Sequence, residues 1–334
     1  MKKYILKRAL FSAIILLSII TISFFISRVL PGDPVSLWVG GHPTKEQLQL
    51  ARNELGLDKP LMSQFINYSS GLLKGDMGTS IRTRQPITQE LKSRFFASFE
   101  LVTLTIILSV FVGYPLGLYA GMTRGNTSDK LISSFGYLGL SFPVFWLGMI
   151  LQLVFFSQLN ILPLQGRISQ YAEINNLTSG MILVDSLFKQ DWSIFFNALS
   201  HIILPTLTLS FSIIGIVIRT ARSSLIETMS EPYFNTFVTY GFSKKEIVTK
   251  LAYKNTLIPV STVVGLCFGL LLGGTFLVES IFDWPGLGQF CVLSILTNDF
   301  PAIVGVTLLY ATSYTLINFI IDISYVFLDP RIER

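Results

Sequence analysis

The chain has 334 residues, of which 51% are hydrophobic and only 13% are charged. This composition lies outside the range of ordinary soluble domains and excludes a soluble enzyme. The net charge of +5 is typical of basic loops beside a membrane and does not by itself indicate a nucleic-acid partner. Two cysteines, Cys267 and Cys291, are too few for a disulfide framework or a metal cluster.

Six uncharged apolar stretches are long enough to cross the hydrocarbon core as helices. The first follows basic residues, but it is long and lacks a small-residue cleavage site, which predicts a retained helix rather than a signal peptide. The sequence therefore predicts an all-α integral membrane protein with six transmembrane helices. In chain order these are Ala9–Ile26, Leu101–Ala120, Ile132–Phe156, Ile202–Ile218, Leu257–Val278 and Ala302–Ile321.

The distribution of Lys and Arg near the helix ends favours a cytoplasmic N-terminus, and an even number of spans then places the C-terminus on the same side. Two long outer segments, 31–98 and 158–200, contain many polar and turn-forming residues and are expected to lie outside the membrane. The chain thus divides into a flank and first helix over 1–30, the outer segment 31–98, and a core over 99–334.

Glycine and proline mark the packing of the predicted spans. Glycines at every fourth residue place bare backbone on one helix face, which predicts close packing against a neighbour, with a sliding surface as the alternative. Pro115 and Pro143 predict kinks within a continuous second and third span. The two glycine series are Gly113, Gly117 and Gly121 in the second span, and Gly265, Gly269 and Gly273 in the fifth.

The longest cytoplasmic loop, 219–256, has the pattern of an ordered helical hairpin. Residues 233–240 predict a helix, Gly241 predicts a break, and Ser243 with Glu246 forms a capping box that starts a second short helix. We expect this second helix to lie along the membrane surface and the hairpin to dock another protein. The candidate docking residues are Gly241, Phe242, Ser243, Lys244, Lys245, Glu246 and Ile247.

Ionisable residues at the outer end of the fifth span are functional candidates because an unpaired charge in a membrane is costly. Glu279 precedes a turn that contains Phe282, Asp283 and Trp284. These residues predict either an outer gate or an interfacial anchor with an aromatic ring at headgroup depth, and the anchor is favoured.

Three charges at the inner helix ends are candidates for interface or structural roles. Arg219 and Arg222 share one face of the fourth span, which predicts contact with lipid phosphate by default and with the loop beneath as the alternative. Asp322 lies just past the uncharged part of the last span. We expect it either to pair with Arg331 or to mark a helix end near the cytoplasmic interface.

The chain lacks the residues that several other classes of protein would need for their function. No Gly-Lys dipeptide occurs, so the phosphate loop of an ATPase is absent. The histidines, His42 and His201, stand apart without neighbouring metal ligands, and no span carries a paired nucleophile and base. A secondary transporter would show internal repeats and a charged pair at the midplane, and neither is visible. The sequence therefore predicts neither catalytic residues nor a metal or cofactor bound by this chain.

An ordered set of short motifs runs through the whole chain. On these motifs the chain resembles the permease subunits of the peptide, nickel and opine class of ATP-binding-cassette importers, most closely the first permease subunits of dipeptide systems. They are Pro-Gly-Asp-Pro at 31–34, the stretch 54–60, Gly-Asp-Met-Gly-Thr-Ser at 75–80, Ser-Phe-Pro-Val-Phe-Trp at 141–146, Leu-Pro at 204–205, and the stretches 219–224, 279–288 and 329–332.

The resemblance implies a type I importer permease in a bacterial inner membrane, in contact with lipid. It implies four partners: a second homologous permease subunit, two cytoplasmic subunits that bind ATP and Mg²⁺, and an external solute-binding protein that delivers short peptides. Nickel or a metal–metallophore complex is the alternative cargo. It also implies that the loop around Gly241 couples ATP hydrolysis to the membrane helices, although Asn235, Thr236 and Phe237 replace the usual Glu-Ala-Ala of importers.

Overall fold

The computed structural model describes residues 2–29, 39, 44–54, 58–169 and 179–328. These residues form helices joined by turns, with a single isolated bridge between Thr79 and Pro86. In chain order the helices are α1 (Lys2–Val29), α2 (Lys45–Glu54), α3 (Leu61–Leu73), α4 (Ile87–Met122), α5 (Thr127–Ser141), α6 (Val144–Gln158), α7 (Ile182–Phe188), α8 (Trp192–Ser230), α9 (Pro232–Thr239), α10 (Lys244–Gly274), α11 (Phe276–Ile281), α12 (Leu287–Leu296) and α13 (Phe300–Leu328).

Within the described residues, five helices are long and apolar enough to cross a membrane: α1, α4, α8, α10 and α13. A sixth crossing is available if the bent pair of α5 and α6 counts as one span. The predicted all-α membrane fold is confirmed, and the third predicted span is the one that departs from a simple helix. The motifs at 31–34 and 329–332, as well as His42 and Arg331, lie outside the described residues, as does the side chain of Asp322 in α13.

The third span was expected to be one kinked helix, and that expectation is wrong. The axis turns by 98° between α5 and α6. Pro143 has no N–H to donate to the preceding turn, and its ring excludes a helical conformation at Phe142, which is extended with φ −85° and ψ 134°. We call residues 139–146 the elbow.

Several helix bounds differ from the apolar stretches in the sequence. α4 begins at Ile87 and α8 at Trp192, well outside the predicted Leu101 and Ile202, because polar residues continue a helix beyond the hydrocarbon. The predicted fifth span is interrupted, since α10 ends at Gly274 and the chain restarts as α11 after Thr275. Hydropathy detects the membrane core, and it does not detect where helices begin and end.

The centre of the fold is the contact of α4 with α8, which run in the same direction. A Cβ atom added at Gly117 would lie 2.7 Å from both the carbonyl oxygen of Ile218 and the Cβ of Ala221. Gly113 and Gly121 meet Val217 and Leu225 in the same way. The predicted close packing of this glycine face is confirmed.

The glycine face of α10 is only partly occupied by the chain itself. Gly265 packs against Ile321 and Gly269 against Tyr314, both on α13. Gly273 has no atom of the described chain within 4 Å of an added Cβ. Close packing against α13 is therefore confirmed for the first two glycines, and Gly273 faces open space.

We predict that Gly117→Ala lowers the stability of the purified chain by about 1–3 kcal/mol, because its methyl group would force α4 and α8 apart. The matched variant Gly273→Ala adds the same methyl group in open space, and it should be neutral or slightly stabilising. Thermal unfolding in detergent measures both. Equal losses in the two variants would show that the interface tolerates the methyl group.

Candidate functional site

The inner hairpin comprises α9, the turn at Gly241 and the first turns of α10. α9 ends in a Schellman motif: the N–H of Phe242 donates to the carbonyl of Phe237 at 3.1 Å, and that of Gly241 to Val238 at 3.0 Å. Gly241 has φ +86°, a conformation that a side chain resists. The rings of Phe237 and Phe242 meet at 5.9 Å and complete the motif. The turn is therefore defined by local chemistry.

The predicted capping box at the start of α10 is confirmed. The N–H of Glu246 donates to the hydroxyl of Ser243 at 3.3 Å, and the N–H of Ser243 donates to the Glu246 carboxylate at 3.0 Å. The expectation of a separate helix along the membrane surface is wrong. After a wide turn at Ile247–Ala252, the helix continues without a break to Gly274. The second arm of the hairpin and the fifth span are thus one continuous helix.

The inner face of the hairpin is packed against the spans. Phe234 is 2% exposed and Ile247 is fully buried. They form one hydrophobic cluster with Leu225 of α8, and Leu118 of α4 packs against this cluster. Ile247, a candidate docking residue, therefore belongs to the core that holds the hairpin in place.

The outer face of the hairpin is exposed and partly apolar. Tyr240 is 75% exposed, Val238 56% and Phe242 42%. Lys244 and Lys245 are exposed beside them. Apolar side chains exposed on an ordered turn are typical of a protein interaction site. We call this surface, 238–245, the docking surface, and the binding of a partner protein there stays a prediction.

At the other end of the molecule, Glu279 lies at the centre of a buried polar cluster. Its side chain is fully buried and accepts hydrogen bonds from Ser98 Oγ at 2.6 Å, Thr275 Oγ1 at 2.7 Å and the N–H of Gln289 at 3.0 Å. The Gln289 N–H belongs to the first turn of α12, whose dipole favours an anion. The N–H of Leu287 in that turn also donates to Ser98, at 2.8 Å. Glu279 therefore joins α4, α11 and α12.

Trp284 is not an interfacial anchor, contrary to the favoured expectation. The ring is 1% exposed, and its Nε1 donates to the carbonyl of Ala97 at 3.0 Å. Phe282 is also buried, and its carbonyl accepts from the N–H of Gly166 at 2.8 Å. Asp283 is the exposed member of the turn, with φ +46° and a hydrogen bond from Gln289 Nε2. The apolar residues of this turn are core residues.

Two further buried carboxylates were missed by the sequence analysis. Glu100 pairs with Arg167 at 2.6 Å and accepts from the N–H of Leu183, which fastens the second outer segment to α4. Asp299 accepts from Ser80 Oγ at 2.5 Å and from the N–H groups of Ile81 and Arg82.

The sequence carried a signal for only one of these two carboxylates. Asp299 stands just before a helix that has Pro301 in its first turn, a pattern typical of an N-cap. Glu100 stands alone at the edge of an apolar run, and its partner Arg167 is distant in the chain.

The expectation of lipid contact is wrong for Arg222. Its guanidinium binds Asp129 of α5 through two hydrogen bonds, at 2.5 and 2.8 Å. Asp129 is 5% exposed and also accepts from the N–H of Gly125 at 2.9 Å. Arg219 is exposed, so its contact with lipid stays a prediction. The shared helical face was a correct inference, but sequence spacing could not reveal a partner on another helix.

Within the described residues, no group of three His, Cys, Asp or Glu side chains could hold a metal ion. The buried carboxylates are paired with hydroxyls, backbone N–H groups or arginine, as structural groups are. A multi-pass helical chain with an ordered hairpin that exposes apolar side chains has the layout of a transport component.

Comparison with known proteins agrees with this layout. The family described as "Binding-protein-dependent transport system inner membrane component" matches residues 113–334. The family "Binding-prot-dependent transport system membrane comp, N-term" matches residues 1–107. The chain belongs to this family of inner-membrane permease subunits of ATP-binding-cassette transport systems.

Individual relatives cover nearly the whole chain. The chain is 40% identical over 321 residues to the probable D,D-dipeptide transport system permease protein DdpB of Escherichia coli K12, covering 96% of this chain and 94% of that protein. It is 34% identical over 338 residues to the dipeptide transport system permease protein DppB of the same strain, covering 100% and 99%. The glutathione transport system permease protein GsiC of Salmonella typhimurium is 36% identical over 333 residues, with coverage of 100% and 99%.

We predict that Glu279→Gln destabilises the chain by about 2 kcal/mol, because a buried amide group would face N–H and O–H donors that need an acceptor. The matched variant Asp283→Asn changes an exposed carboxylate of the same turn and should cost little. Unfolding temperatures of the two purified variants provide the comparison. An unfolding temperature unchanged by Glu279→Gln would contradict the structural role of the cluster.

Proposed function

We propose that this chain is one permease subunit of an importer that carries short peptides delivered by an external binding protein. Three similar proteins are named as permeases for D,D-dipeptides, dipeptides and glutathione, and similarity to them extends over nearly the full chain. Those names favour peptides over nickel or a metal–metallophore complex. The absence of a candidate metal cluster among the described residues gives the alternative cargo no support of its own.

The single observation that carries the mechanism is the exposed surface 238–245 on a hairpin that follows α8 and contains the start of α10. α8 leads into the hairpin through Glu231, and the hairpin leads into α10 without a break. We propose that a cytoplasmic ATPase subunit binds residues 238–245. Two ATPase subunits would bind ATP and Mg²⁺, and this chain would bind neither.

The same proposal requires a second, homologous permease subunit. The solute would cross between the two permeases, so each contributes half of the path. Lipid or the second permease subunit would cover two surfaces of this chain. One is the open side of Gly273, and the other consists of exposed apolar side chains of α4, including Phe111 at 79% exposure.

The transport cycle follows from this arrangement. With both termini in the cytoplasm, the hairpin lies inside, and the polar cluster around Glu279 lies at the outer face beside the binding protein. Closure of the ATPases on ATP would push the hairpin and tilt α8 and α10 toward an outward-open state. The turn 282–284 would act as the outer gate by moving together with α11 and Glu279 when α10 tilts.

Reconstitution tests the function directly. The chain, a second homologous permease subunit, the ATPase subunits and the binding protein are purified together and placed in liposomes. ATP-dependent uptake of radiolabelled alanyl-alanine is expected for the complete set and not when the ATPases are omitted. Uptake by this chain alone would contradict the proposal, because it would make the chain a self-contained transporter.

We predict that Gly241→Val uncouples the transporter. Valine in a left-handed conformation costs about 1–2 kcal/mol, so the turn would shift and displace the docking surface. Peptide-stimulated ATP hydrolysis should fall although the complex still assembles. Gly125→Val is the matched control, because Gly125 has the same φ of +86° and open space in another inner loop. Equal losses of peptide-stimulated ATP hydrolysis in both variants would show that strain in any inner loop uncouples ATP hydrolysis from transport, and would contradict a special role of the turn at Gly241.

A further inference from the structure

The elbow places a helix break near the middle of the membrane. A Cβ at Gly136 would pack against Gly215 of α8, and Gly139 packs against the carbonyl of Phe211. Phe211, which is beside Gly139 near the end of α5, lies near the middle of the uncharged stretch Ile202–Ile218. The end of α5 is therefore at the depth of the hydrocarbon centre.

After the break, α6 crosses the fold at this depth instead of continuing outward. The axis turns by 98° at the elbow, so α6 leaves at nearly a right angle to α5. Gly139 packs beside Phe211, and Gly148 packs beside Thr208, which is less than one turn away along α8. The chain therefore stays at this depth from the elbow to Gly148.

The backbone of the elbow is left without its helical partners. Pro143 cannot donate to the carbonyl of Gly139, which is its position in the helical ladder. Outside regular helices, the described backbone hydrogen bonds include none from the N–H groups of Val144, Phe145 or Trp146. No side chain caps the start of α6.

The elbow is also exposed on the surface of the chain. Residues 140–143 are exposed, and Phe142 and Trp146 are 38% and 42% exposed. These two rings stack at 5.2 Å with 19° between their planes. Nothing in the described part of the chain covers this combination of free backbone groups and aromatic faces.

A lipid-facing position is ruled out for such a break. Free backbone N–H and C=O groups at hydrocarbon depth occur only where they are buried in protein or line a water-filled cavity. A dry contact with another subunit would have to pair each of these groups, whereas a hydrated path satisfies them with water. The free groups on both sides of Pro143 favour the hydrated path.

We propose that the elbow, residues 139–146, lines the translocation path and contacts the peptide in transit. This inference rests on the proposed function of peptide import. Free carbonyl and N–H groups match the amide and terminal groups of a short peptide, and the faces of Phe142 and Trp146 suit its ammonium group or apolar side chains.

Cysteine labelling in the assembled transporter tests the proposal. Cys267 and Cys291 are first replaced by Ala, and then Ser141→Cys is introduced at the elbow. The matched control is Phe111→Cys, which is 79% exposed on α4 beside Gly113, at the level of Ile214. A charged methanethiosulfonate reagent, which reacts only in water, is applied without nucleotide and after trapping with ATP and vanadate.

We expect Ser141→Cys to react in at least one of the two states and Phe111→Cys in neither, and we expect excess alanyl-alanine to slow the reaction. No reaction of Ser141→Cys in either state would overturn the proposal, and so would equal reaction at both positions or a rate that the dipeptide leaves unchanged. Uptake of alanyl-alanine by the complex that keeps its native cysteines is measured in parallel. No uptake there would count against the peptide cargo, whereas the labelling pattern reports on the elbow alone.

Discussion

The hydrophobic cluster that joins the hairpin to α4 and α8 is the contact on which the account depends. Phe234 and Ile247 are buried against Leu225, and the helix that begins at Lys244 runs unbroken through the fifth span. Under the proposed function, a force on the exposed turn at Gly241 would reach the spans, because the helix that follows this turn is itself the start of α10. A loosely attached loop with the same exposed residues would bind an ATPase without transmitting its movement.

The opposite end of the molecule is held by polar contacts. Glu279, Glu100 and Asp299 each bind groups from distant parts of the chain, and all three are nearly or fully buried. Desolvated carboxylates keep their position only while their donors stay in place, so these clusters favour one arrangement of the outer loops. The hairpin cluster and these polar clusters thus hold the two ends of the helices by different means, apolar packing at one end and buried carboxylates at the other.

The sequence was sufficient where the physical signal is local. Apolar length predicted the membrane-spanning helices, the glycine series predicted a close-packing face on α4 without naming its partner, and Ser243 with Glu246 predicted the cap at the start of α10. The glycine and capping signals involve residues within a few helical turns of one another. The hydropathy signal depends only on how each segment interacts with the hydrocarbon of the membrane. The motifs that run through the chain also predicted the family.

The sequence did not predict contacts between residues that are distant in the chain, and it did not predict the size of a backbone bend. The pairing of Arg222 with Asp129 and the burial of Trp284 depend on which helices are neighbours, which spacing along one helix does not reveal. Pro143 signals a distortion, but the size of the bend depends on how α6 packs against α8. For the same reason the continuity of the hairpin with α10 could not be distinguished from a separate short helix.

Rigid attachment of the hairpin is the central claim, and pulsed electron paramagnetic resonance measures it. One spin label is placed at Tyr240 on the docking surface and a second at Leu266, an exposed residue of α10. In the assembled transporter this distance should be the same without nucleotide and with trapped ATP, while the distance between Tyr240 and the corresponding turn of the second permease shortens. A change in the Tyr240–Leu266 distance equal to the change between subunits would show that the hairpin bends on its own, and would contradict the account.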